Sequence, residues 1–192
     1  MRYPGRGGSA ARTTICISSQ AGCAVNCPFC ATGQAGFGRH LTAAEIVDQV
    51  LWWRRARAGI LDPQHHLNVV FMGMGEPLNN TDPVFAAVRL LNDPARSGIG
   101  ARHITVSTSG VVPGMDRMAD ELPQVNMAIS LHAAHDELRD ELVPINRKWP
   151  IAAVLGAGRR FAERTRRRVS LEYVMIDGIN DAPSEAQRLV DL

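Results

Sequence analysis

The sequence predicts an α/β protein in which five strand-then-helix units form a parallel sheet that is covered by helices. Short, apolar, β-branched segments alternate with segments of helical periodicity along the 192 residues, which is typical of a parallel sheet. Cysteines, glycines and hydroxyl side chains follow the predicted strands, and ligands bind at this end of α/β sheets. The hydrophobic content of 45% is ordinary for a single globular domain with its own core.

We expect the five strands at residues 13–19, 67–72, 103–109, 125–132 and 169–176. Helices follow them, with predicted starts at Thr42, Asp82, Pro113, Asp136, Pro150 and Ser184. Thr42 and Glu45 form a capping box at the first start, and Pro144 ends the fourth helix. Ser184 is the predicted cap of the last helix, inside which the chain ends at Leu192. Right-handed connections between such units give an open sheet or a barrel.

The composition argues against a membrane or secreted protein. No apolar run approaches the length of a membrane span, and the segment MRYPGRGGSAAR lacks the apolar stretch of a signal peptide. We therefore expect a cytoplasmic protein without membrane partners. In that compartment four cysteines indicate metal binding or catalysis rather than a disulfide framework.

Arginine supplies almost all of the positive charge, although the formal net charge is only +2. The arginines cluster at Arg54, Arg55 and Arg57, and again at Arg159, Arg160, Arg164, Arg166, Arg167 and Arg168. Arginine suits phosphate binding, but charge alone favours the interpretation of both clusters as solvated helix faces.

Cys23, Cys27 and Cys30 follow the first strand in the segment CAVNCPFC. Three such thiols can each bind one iron of a 4Fe–4S cluster. The fourth iron then keeps an open position for the amino and carboxylate groups of S-adenosylmethionine (SAM). Two alternatives stay open: zinc with a fourth ligand such as His40, and a redox-active pair of Cys27 and Cys30.

The spacing CxxxCxxC, with the aromatic Phe29 before the last cysteine, resembles the radical SAM enzymes, as does the segment MGMGEP after the second strand. The resemblance implies a partial (β/α) barrel, with about five units present and the sixth strand missing. It also implies that Gly75 lets the backbone approach the methionine end of SAM and that Glu76 accepts a hydrogen bond from the SAM ammonium. An ordinary strand-exit turn is the alternative for these glycines.

A narrower resemblance covers most of the chain. Five blocks, in order, look like the RlmN-type RNA methyltransferases, which modify C2 of adenosine in 23S rRNA and tRNA. The sister family of Cfr-type enzymes, which modify C8, shares many of them. The blocks are CISSQAGCAVNCPFCATGQAGFGRHLTAAEI, FMGMGEPLNN, ITVSTSGVVPGM, AISLHAAHDELRDELVPINRKWP and EYVMIDGINDA.

This resemblance implies site residues by position. In addition to Gly75 and Glu76, the residues expected to contact SAM are Ser107, Ser130, Leu131 and His132. Serine hydroxyls suit a ribose or a carboxylate, and histidine offers a ring nitrogen; a satisfied, partly buried ring is the alternative for His132. The implied partners of this monomeric enzyme are RNA and an electron donor such as flavodoxin or ferredoxin.

In the RlmN-type family a cysteine near the C-terminus carries the methyl group, and a second cysteine resolves the enzyme–RNA crosslink by forming a disulfide. Cys16, seven residues before Cys23, matches the resolving cysteine; a small buried hydrophobe is its alternative. No cysteine follows Cys30, so the methyl carrier is absent from this chain.

We therefore expect residues 1–192 to form one radical SAM core domain that is truncated at both ends. The N-terminal RNA-binding domain and the C-terminal segment of the family are absent from it. Such a chain is predicted to bind the cluster and SAM without transferring a methyl group. A radical SAM enzyme of another class and an inactive binding remnant are the alternative functions.

Overall fold

The structure, a computed structural model, describes residues 2–3, 12–56 and 66–192, so Arg57 of the first arginine cluster lies outside it. The strands are β1 (Arg2–Tyr3), β2 (Arg12–Cys16), β3 (Gln20–Gly22), β4 (Phe37–His40), β5 (His66–Phe71), β6 (Ile104–Thr108), β7 (Asn126–Ser130) and β8 (Val169–Glu172). The helices are α1 (Ala31–Gln34), α2 (Ala43–Ala56), α3 (Thr81–Asn92), α4 (Val112–Glu121), α5 (Asp136–Leu142), α6 (Ile151–Thr165) and α7 (Pro183–Val190). None of these described helices is long and apolar enough to cross a lipid bilayer.

A six-stranded sheet in the order β1-β2-β5-β6-β7-β8 is the centre of the described fold. β1 runs antiparallel to β2, whereas β2, β5, β6, β7 and β8 are parallel to one another. Helices lie in the chain between successive parallel strands. The predicted partial (β/α) barrel with five parallel strands is therefore confirmed. The second, small sheet of β3 and β4 was not predicted.

The strands end earlier than the sequence predicts, because the residues beyond them turn away into loops. β2 ends at Cys16, and the N–H of Ser18 donates instead to a side chain of α2 at 2.8 Å. β8 ends at Glu172, and the N–H of Val174 donates to the ring of His132 at 3.1 Å. These loops at the carboxyl ends of the strands therefore carry the predicted site residues.

The last helix begins earlier than predicted, so Ser184 lies inside it and does not cap it. Ala182 precedes α7, and Pro183 occupies its first turn, where the missing N–H of proline breaks no helical hydrogen bond. The helix ends at Val190. The expectation that Leu192 lies within a helix is therefore wrong.

Apolar side chains between the sheet and the helices form the core. Fully buried examples are Ile46 of α2, Phe85 of α3, Met115 of α4 and Phe161 of α6. They pack against buried strand residues in one continuous cluster. The sheet is therefore covered by helices as the periodicity of the sequence predicts.

The arginines of α6 pair with acidic residues of α4. Arg160 donates two hydrogen bonds to Asp116, each at 3.0 Å, and Arg164 forms an ion pair with Asp120. All four side chains are about half exposed. The interpretation of the second arginine cluster as a solvated helix face is therefore confirmed for these residues.

We expect Arg160→Ala to lower the free energy of unfolding by less than about 1 kcal/mol, because exposed ion pairs contribute little. The neighbouring change Phe161→Ala removes a fully buried ring and is expected to cost about 3–5 kcal/mol. Urea denaturation followed by circular dichroism measures both effects. A loss of several kcal/mol in Arg160→Ala would contradict the assignment of this arginine to a solvated face.

Candidate functional site

A pocket of about 240 Å³ lies at the carboxyl ends of β5, β6, β7 and β8. Its walls contain most of the predicted site residues, namely Cys23, Cys27, Cys30, Gly75, Glu76, Ser107, Ser130 and His132. Motifs that are far apart in the sequence therefore meet in one cavity, as expected for a parallel sheet. A larger cavity of about 480 Å³, beside α5 and α6, contains none of the predicted site residues.

The three cysteines lie in a loop that the hairpin of β3 and β4 closes at its base. The N–H of Cys23 donates to the carbonyl of Gly36 at 3.0 Å. A Cβ at Gly22 would lie 2.0 Å from that same oxygen, and Gly22 has a φ of +85°, so only glycine is compatible with this crossing. The N–H of Gln34 donates to the carbonyl of Cys30 at 3.1 Å and starts α1. The two ends of the loop are thus fixed.

Burial raises the pKa of the Cys23 and Cys27 thiols, that of Cys27 to about 12. The neighbouring cysteines raise the pKa of Cys27 further, because nearby thiolates repel one another. Metal ions remove this repulsion and bind thiols in their deprotonated form. Cys23 and Cys27 are therefore suited to be thiolates only together with a compensating positive charge.

The chemistry of these donors fits a cluster that is held by three cysteines. All three are free thiols, and the pocket lining contains no fourth cysteine. Within the described ranges, no three His, Cys, Asp or Glu side chains form a group that could hold a single metal ion. His40, the candidate fourth ligand of zinc, does not line the pocket. Its Nδ1 accepts a hydrogen bond from Gln20 at 3.0 Å instead.

Glu76 is buried at the pocket wall, and protein donors occupy its carboxylate. Oε1 accepts hydrogen bonds from the N–H of Leu78 at 3.0 Å and the hydroxyl of Thr108 at 2.8 Å. Oε2 accepts from the N–H and the hydroxyl of Ser109, both at 2.7 Å. A carboxylate offers about four acceptor positions, so the geometry does not support a further bond to the SAM ammonium. The Glu76 side chain instead fixes the turn formed by residues 75–77, called the GEP turn below, to the end of β6.

Gly75 lets the backbone of this turn pass close to the first strand-end loop. Its φ is +99°, and a Cβ at this position would lie 2.5 Å from the side chain of Gln20. Gln20 is fully buried and accepts a hydrogen bond from the N–H of Glu76 at 2.8 Å. A side chain at position 75 is thus excluded by both conformation and space, and the close contact that requires glycine is with Gln20 of the protein itself.

Arg139, which no motif singled out, is a fully buried guanidinium behind the pocket. It donates to the carbonyl oxygens of Ser109, Leu131 and Ser130 at 2.7, 3.0 and 3.1 Å. It also donates to Asn146 at 2.8 Å, whose amide donates to carboxylates of α5. Burial lowers the pKa of Arg139 to about 10, so the group stays charged at neutral pH. It joins the ends of β6 and β7 to α5.

His132 lies in the loop just beyond the end of β7, in a left-handed conformation with a φ of +60°. Its Nδ1 accepts from the N–H of Val174 at 3.1 Å, and its carbonyl accepts from the buried Asn180 at 2.8 Å. Burial, and then the charge of Arg139, lower the pKa of His132 to about 4. The neutral ring therefore carries its proton on Nε2 and presents a donor. Its ring packs edge-on against Phe29 of the cysteine loop, with centroids 5.1 Å apart.

Ser107 and Ser130 lie side by side on β6 and β7, with their hydroxyl oxygens 3.2 Å apart. Both also lie close to Glu172 of β8, which the sequence motifs did not single out. The hydroxyl of Ser107 donates to Oε2 of Glu172 at 2.9 Å, and that of Ser130 approaches the same oxygen at 3.4 Å. The structure therefore adds a carboxylate to the predicted pair of serines. In the sequence Glu172 is only the first residue of the block EYVMIDGINDA and falls inside the predicted strand 169–176, whereas the structure ends β8 at this residue.

Comparison with known families agrees with this arrangement. Residues 17–190 match the family model described as the Radical SAM superfamily. The chain belongs to the radical SAM superfamily. Radical SAM proteins use a 4Fe–4S cluster and SAM, which confirms the two predicted cofactors and agrees with the three-thiol donor set.

Curated relatives named "probable dual-specificity RNA methyltransferase RlmN" match this radical SAM chain along its length. The protein of Parafrankia sp. (strain EAN1pec) is 52% identical over 202 residues, which cover 100% of this chain and 51% of the relative. That of Thermobifida fusca is 53% identical over 194 residues, covering 98% and 52%. The resemblance to RlmN-type enzymes is thus confirmed, and the chain spans about half the length of the curated relatives it matches.

Solved structures of other proteins show the same fold. A radical SAM methyltransferase from Sphaerobacter thermophilus superposes with a TM-score of 0.89 and 50% identity, covering 94% of this chain and 52% of its own. Streptococcus suis SuiB bound to S-adenosylmethionine superposes with a TM-score of 0.62 and 13% identity, covering 93% of this chain and 37% of its own. At that identity the likeness to SuiB shows the fold alone.

Two residues that were predicted for the radical SAM site lie outside the pocket. Leu131 is fully buried, and its N–H and carbonyl bond to Glu172 and Arg139 at 2.9 and 3.0 Å. Cys16 is exposed and shares a separate cavity with Trp52. All four cysteines are free. The expected disulfide of Cys16 is therefore not present.

Replacing the buried Glu76 carboxylate is expected to destabilise this radical SAM core. In Glu76→Gln the amide NH₂ faces a donor, and each buried donor left unsatisfied costs about 1–3 kcal/mol. Glu163→Gln, on the exposed face of α6, is the matched control and is expected to change stability by less than about 0.5 kcal/mol. Urea denaturation of both variants measures the difference. Equal stability of the two would refute the structural role of Glu76.

His132 is expected to make the stability of the cluster-free protein depend on pH. Its folded pKa of about 4 lies below its ordinary value of 6.5, so the unfolded chain binds the proton first as pH falls. This contribution is complete above pH 6.5 and is lost as pH falls towards 4. His132→Asn keeps a residue that tolerates positive φ and removes the titration. The urea midpoint of wild type is expected to fall more over this range than that of the variant; parallel curves would contradict the assignment.

Proposed function

We propose that this chain is the core of an RlmN-type RNA methyltransferase that acts on C2 of an adenosine in 23S rRNA, with tRNA as a second substrate. The observation that carries the proposal is the single pocket at the strand ends. It combines three free cysteines with the backbone of Gly75 and with the side chains of Ser107, Ser130 and His132. The names of the relatives, at about half their length, support the same class of substrate.

In this proposal Cys23, Cys27 and Cys30 hold the 4Fe–4S cluster. The cluster, when bound together with SAM, supplies one-electron cleavage of SAM and hence radical chemistry. The hairpin of β3 and β4 closes the base of the cysteine loop, and the backbone turn at Gly75 lets the ligand approach closely. The neutral ring of His132 presents an Nε2–H towards a ligand acceptor.

In this proposal the methyl-transfer half of the reaction needs a cysteine that this sequence does not contain. The RlmN-type resemblance requires a methyl-carrying cysteine in addition to a resolving one. This sequence has four cysteines, of which three line the pocket and the fourth, Cys16, lies outside it. None is therefore placed to carry the methyl group. A resolving role for Cys16, a cytoplasmic location, monomeric assembly and a flavodoxin- or ferredoxin-like electron donor belong to the same proposal.

The test separates cluster binding, SAM cleavage and RNA methylation. After anaerobic reconstitution we expect iron and sulfide in the ratio of a 4Fe–4S cluster, reductive release of 5′-deoxyadenosine from SAM, and no methylated RNA. Cys27→Ser is expected to abolish the iron signal, because Cys27 supplies one of the three thiolates that hold the cluster. Cys16→Ser is the matched control and is expected to keep it.

Three outcomes would contradict parts of this proposal. Bound zinc without sulfide would exclude the cluster. Loss of the cluster in Cys16→Ser as well as in Cys27→Ser would contradict the assignment of the ligands. Methylated RNA from the chain alone would show that no further cysteine is needed, and analysis of the product would separate C2 from C8 modification.

A further inference from the structure

Residues 144–150, called the rim segment below, lie at the carboxyl edge of the sheet beside the pocket. They connect α5 to α6, and α6 must return the chain to the opposite edge because β8 runs parallel to β7. Val143, directly before the segment, lines the pocket. Ile145 packs against the same small apolar cluster as Cys23 and Cys27. The rim segment therefore borders the cysteine loop.

A buried asparagine fixes the conformation of the rim segment. The Oδ1 of Asn146 accepts a hydrogen bond from Arg139 at 2.8 Å, and its Nδ2 donates to the carboxylates of Asp136 and Asp140 at 2.9 and 2.7 Å. Asp136 also accepts from the N–H of Ile151, just after the segment, at 2.8 Å. The segment is thus anchored at its middle and at its end, and two carboxylates of α5 are used for the anchor.

Two exposed cations, Arg147 and Lys148, follow this anchor. The Nζ of Lys148 lies 4.5 Å from the centre of the Trp149 ring, a distance at which the ring attracts a cation. Within the ranges that the structure describes, neither cation is paired with a carboxylate. Arg39 and Arg160 on the same protein surface are, in contrast, each paired with an acid. The rim segment therefore presents two uncompensated positive charges on a fixed turn.

The amino edge of the sheet, opposite the pocket, offers a matched comparison. Arg102 lies directly before β6 and Arg168 directly before β8, and both are exposed. No carboxylate of the described residues pairs with them either. These two arginines share the charge and the exposure of the rim cations but not their position.

A chain of phosphates is the partner that fits the charge and the position of the rim segment. In the proposed function an adenosine enters the pocket from the carboxyl edge, so the phosphates of its neighbouring nucleotides pass over the rim. Lys148 follows Val143 by five residues, which is about 10 Å along a 3₁₀ helix. Both arginine and lysine neutralise phosphates. An acidic electron-donor protein also carries negative charge, but only the RNA must reach into the pocket.

We propose that Arg147 and Lys148 bind backbone phosphates of the RNA next to the nucleotide that enters the pocket. This inference rests on the proposed function, because it requires RNA at the carboxyl edge. It places a part of the RNA interface on the radical SAM core itself. It also assigns that part to residues outside the two arginine clusters of the sequence.

The test compares two double variants that remove the same charge. Arg147→Gln with Lys148→Gln neutralises the rim, and Arg102→Gln with Arg168→Gln neutralises the amino edge. Fluorescence anisotropy measures the binding of a fluorescein-labelled RNA hairpin, with an adenosine in its loop, between about 50 and about 200 mM salt. The rim variant is expected to bind about tenfold more weakly at the lower salt, as for lost hydrogen bonds to charged groups. Its plot of log affinity against log salt is expected to flatten by about 1 to 1.5, because two phosphate contacts are lost. The amino-edge variant is expected to keep the affinity and the slope of wild type.

A charge-retaining variant separates the charge from the structure of the turn. Arg147→Lys with Lys148→Arg exchanges the two side chains and is expected to keep the salt dependence of wild type, because that slope counts neutralised phosphates. Circular dichroism checks that all variants fold, which is expected for exposed positions. A loss of binding in the exchanged variant as large as in the neutral one would overturn the proposal.

Three further outcomes would also overturn it. These are wild-type affinity and slope in the rim variant, equal losses in the two neutral variants, and no binding of the hairpin by wild type. If the rim variant bound RNA normally but its cluster was reduced more slowly by flavodoxin, the surface would belong to an acidic electron donor instead. Iron content and release of 5′-deoxyadenosine in the same preparations test the proposed function separately, since they do not depend on the rim cations.

Discussion

The arrangement of this site depends on one buried residue, Ser109, which lies between two buried charges. Its N–H and hydroxyl donate to Glu76, and its carbonyl accepts from Arg139. Burying either charge without hydrogen bonds would be very costly. Here the two charges do not pair directly, and each is surrounded by neutral groups of the backbone and of side chains. Because Ser109 forms hydrogen bonds with both Glu76 and Arg139, the end of β6 is held between the GEP turn and α5.

The same network explains why motifs that are distant in the sequence occur together. Gln20 accepts from the N–H of Glu76 and donates to His40 of the β3–β4 hairpin. On the other side Asn146 connects Arg139 to α5. The hairpin that closes the cysteine loop is therefore joined to the ends of three parallel strands through buried polar contacts. In surroundings of low dielectric such contacts are strong when complete and costly when one partner is lost.

The sequence predicts the sheet and the edge where the site lies, but not what each polar side chain does there. The alternation of strands and helices places residues 75–77 and 130–132 at one edge of a parallel sheet, and this prediction is confirmed. Thr108, which donates to Glu76, lies 32 positions from it in the sequence, and Ser109, which accepts from the buried Arg139, lies 30 positions from that arginine. No local sequence pattern encodes these contacts. Side chains alternate between the two faces of a strand. Because Ile15 is buried in the core, its neighbour Cys16 is expected to face away from that core.

Glu76 and Glu172 show why tertiary contacts decide the role of a strand-end acid. Both lie at the carboxyl edge of the sheet and line the same pocket, although the sequence resemblance indicates only Glu76 as a SAM contact. The Glu76 carboxylate accepts four hydrogen bonds from the protein, whereas among the described residues two serine hydroxyls, both at one oxygen, contact the carboxylate of Glu172. Glu76, whose carboxylate accepts its full set of hydrogen bonds from the protein, stabilises the pocket wall. Glu172 keeps acceptor positions that a ligand can use. Counting donors around each buried or half-buried charge thus separates structural from binding residues where motifs alone cannot.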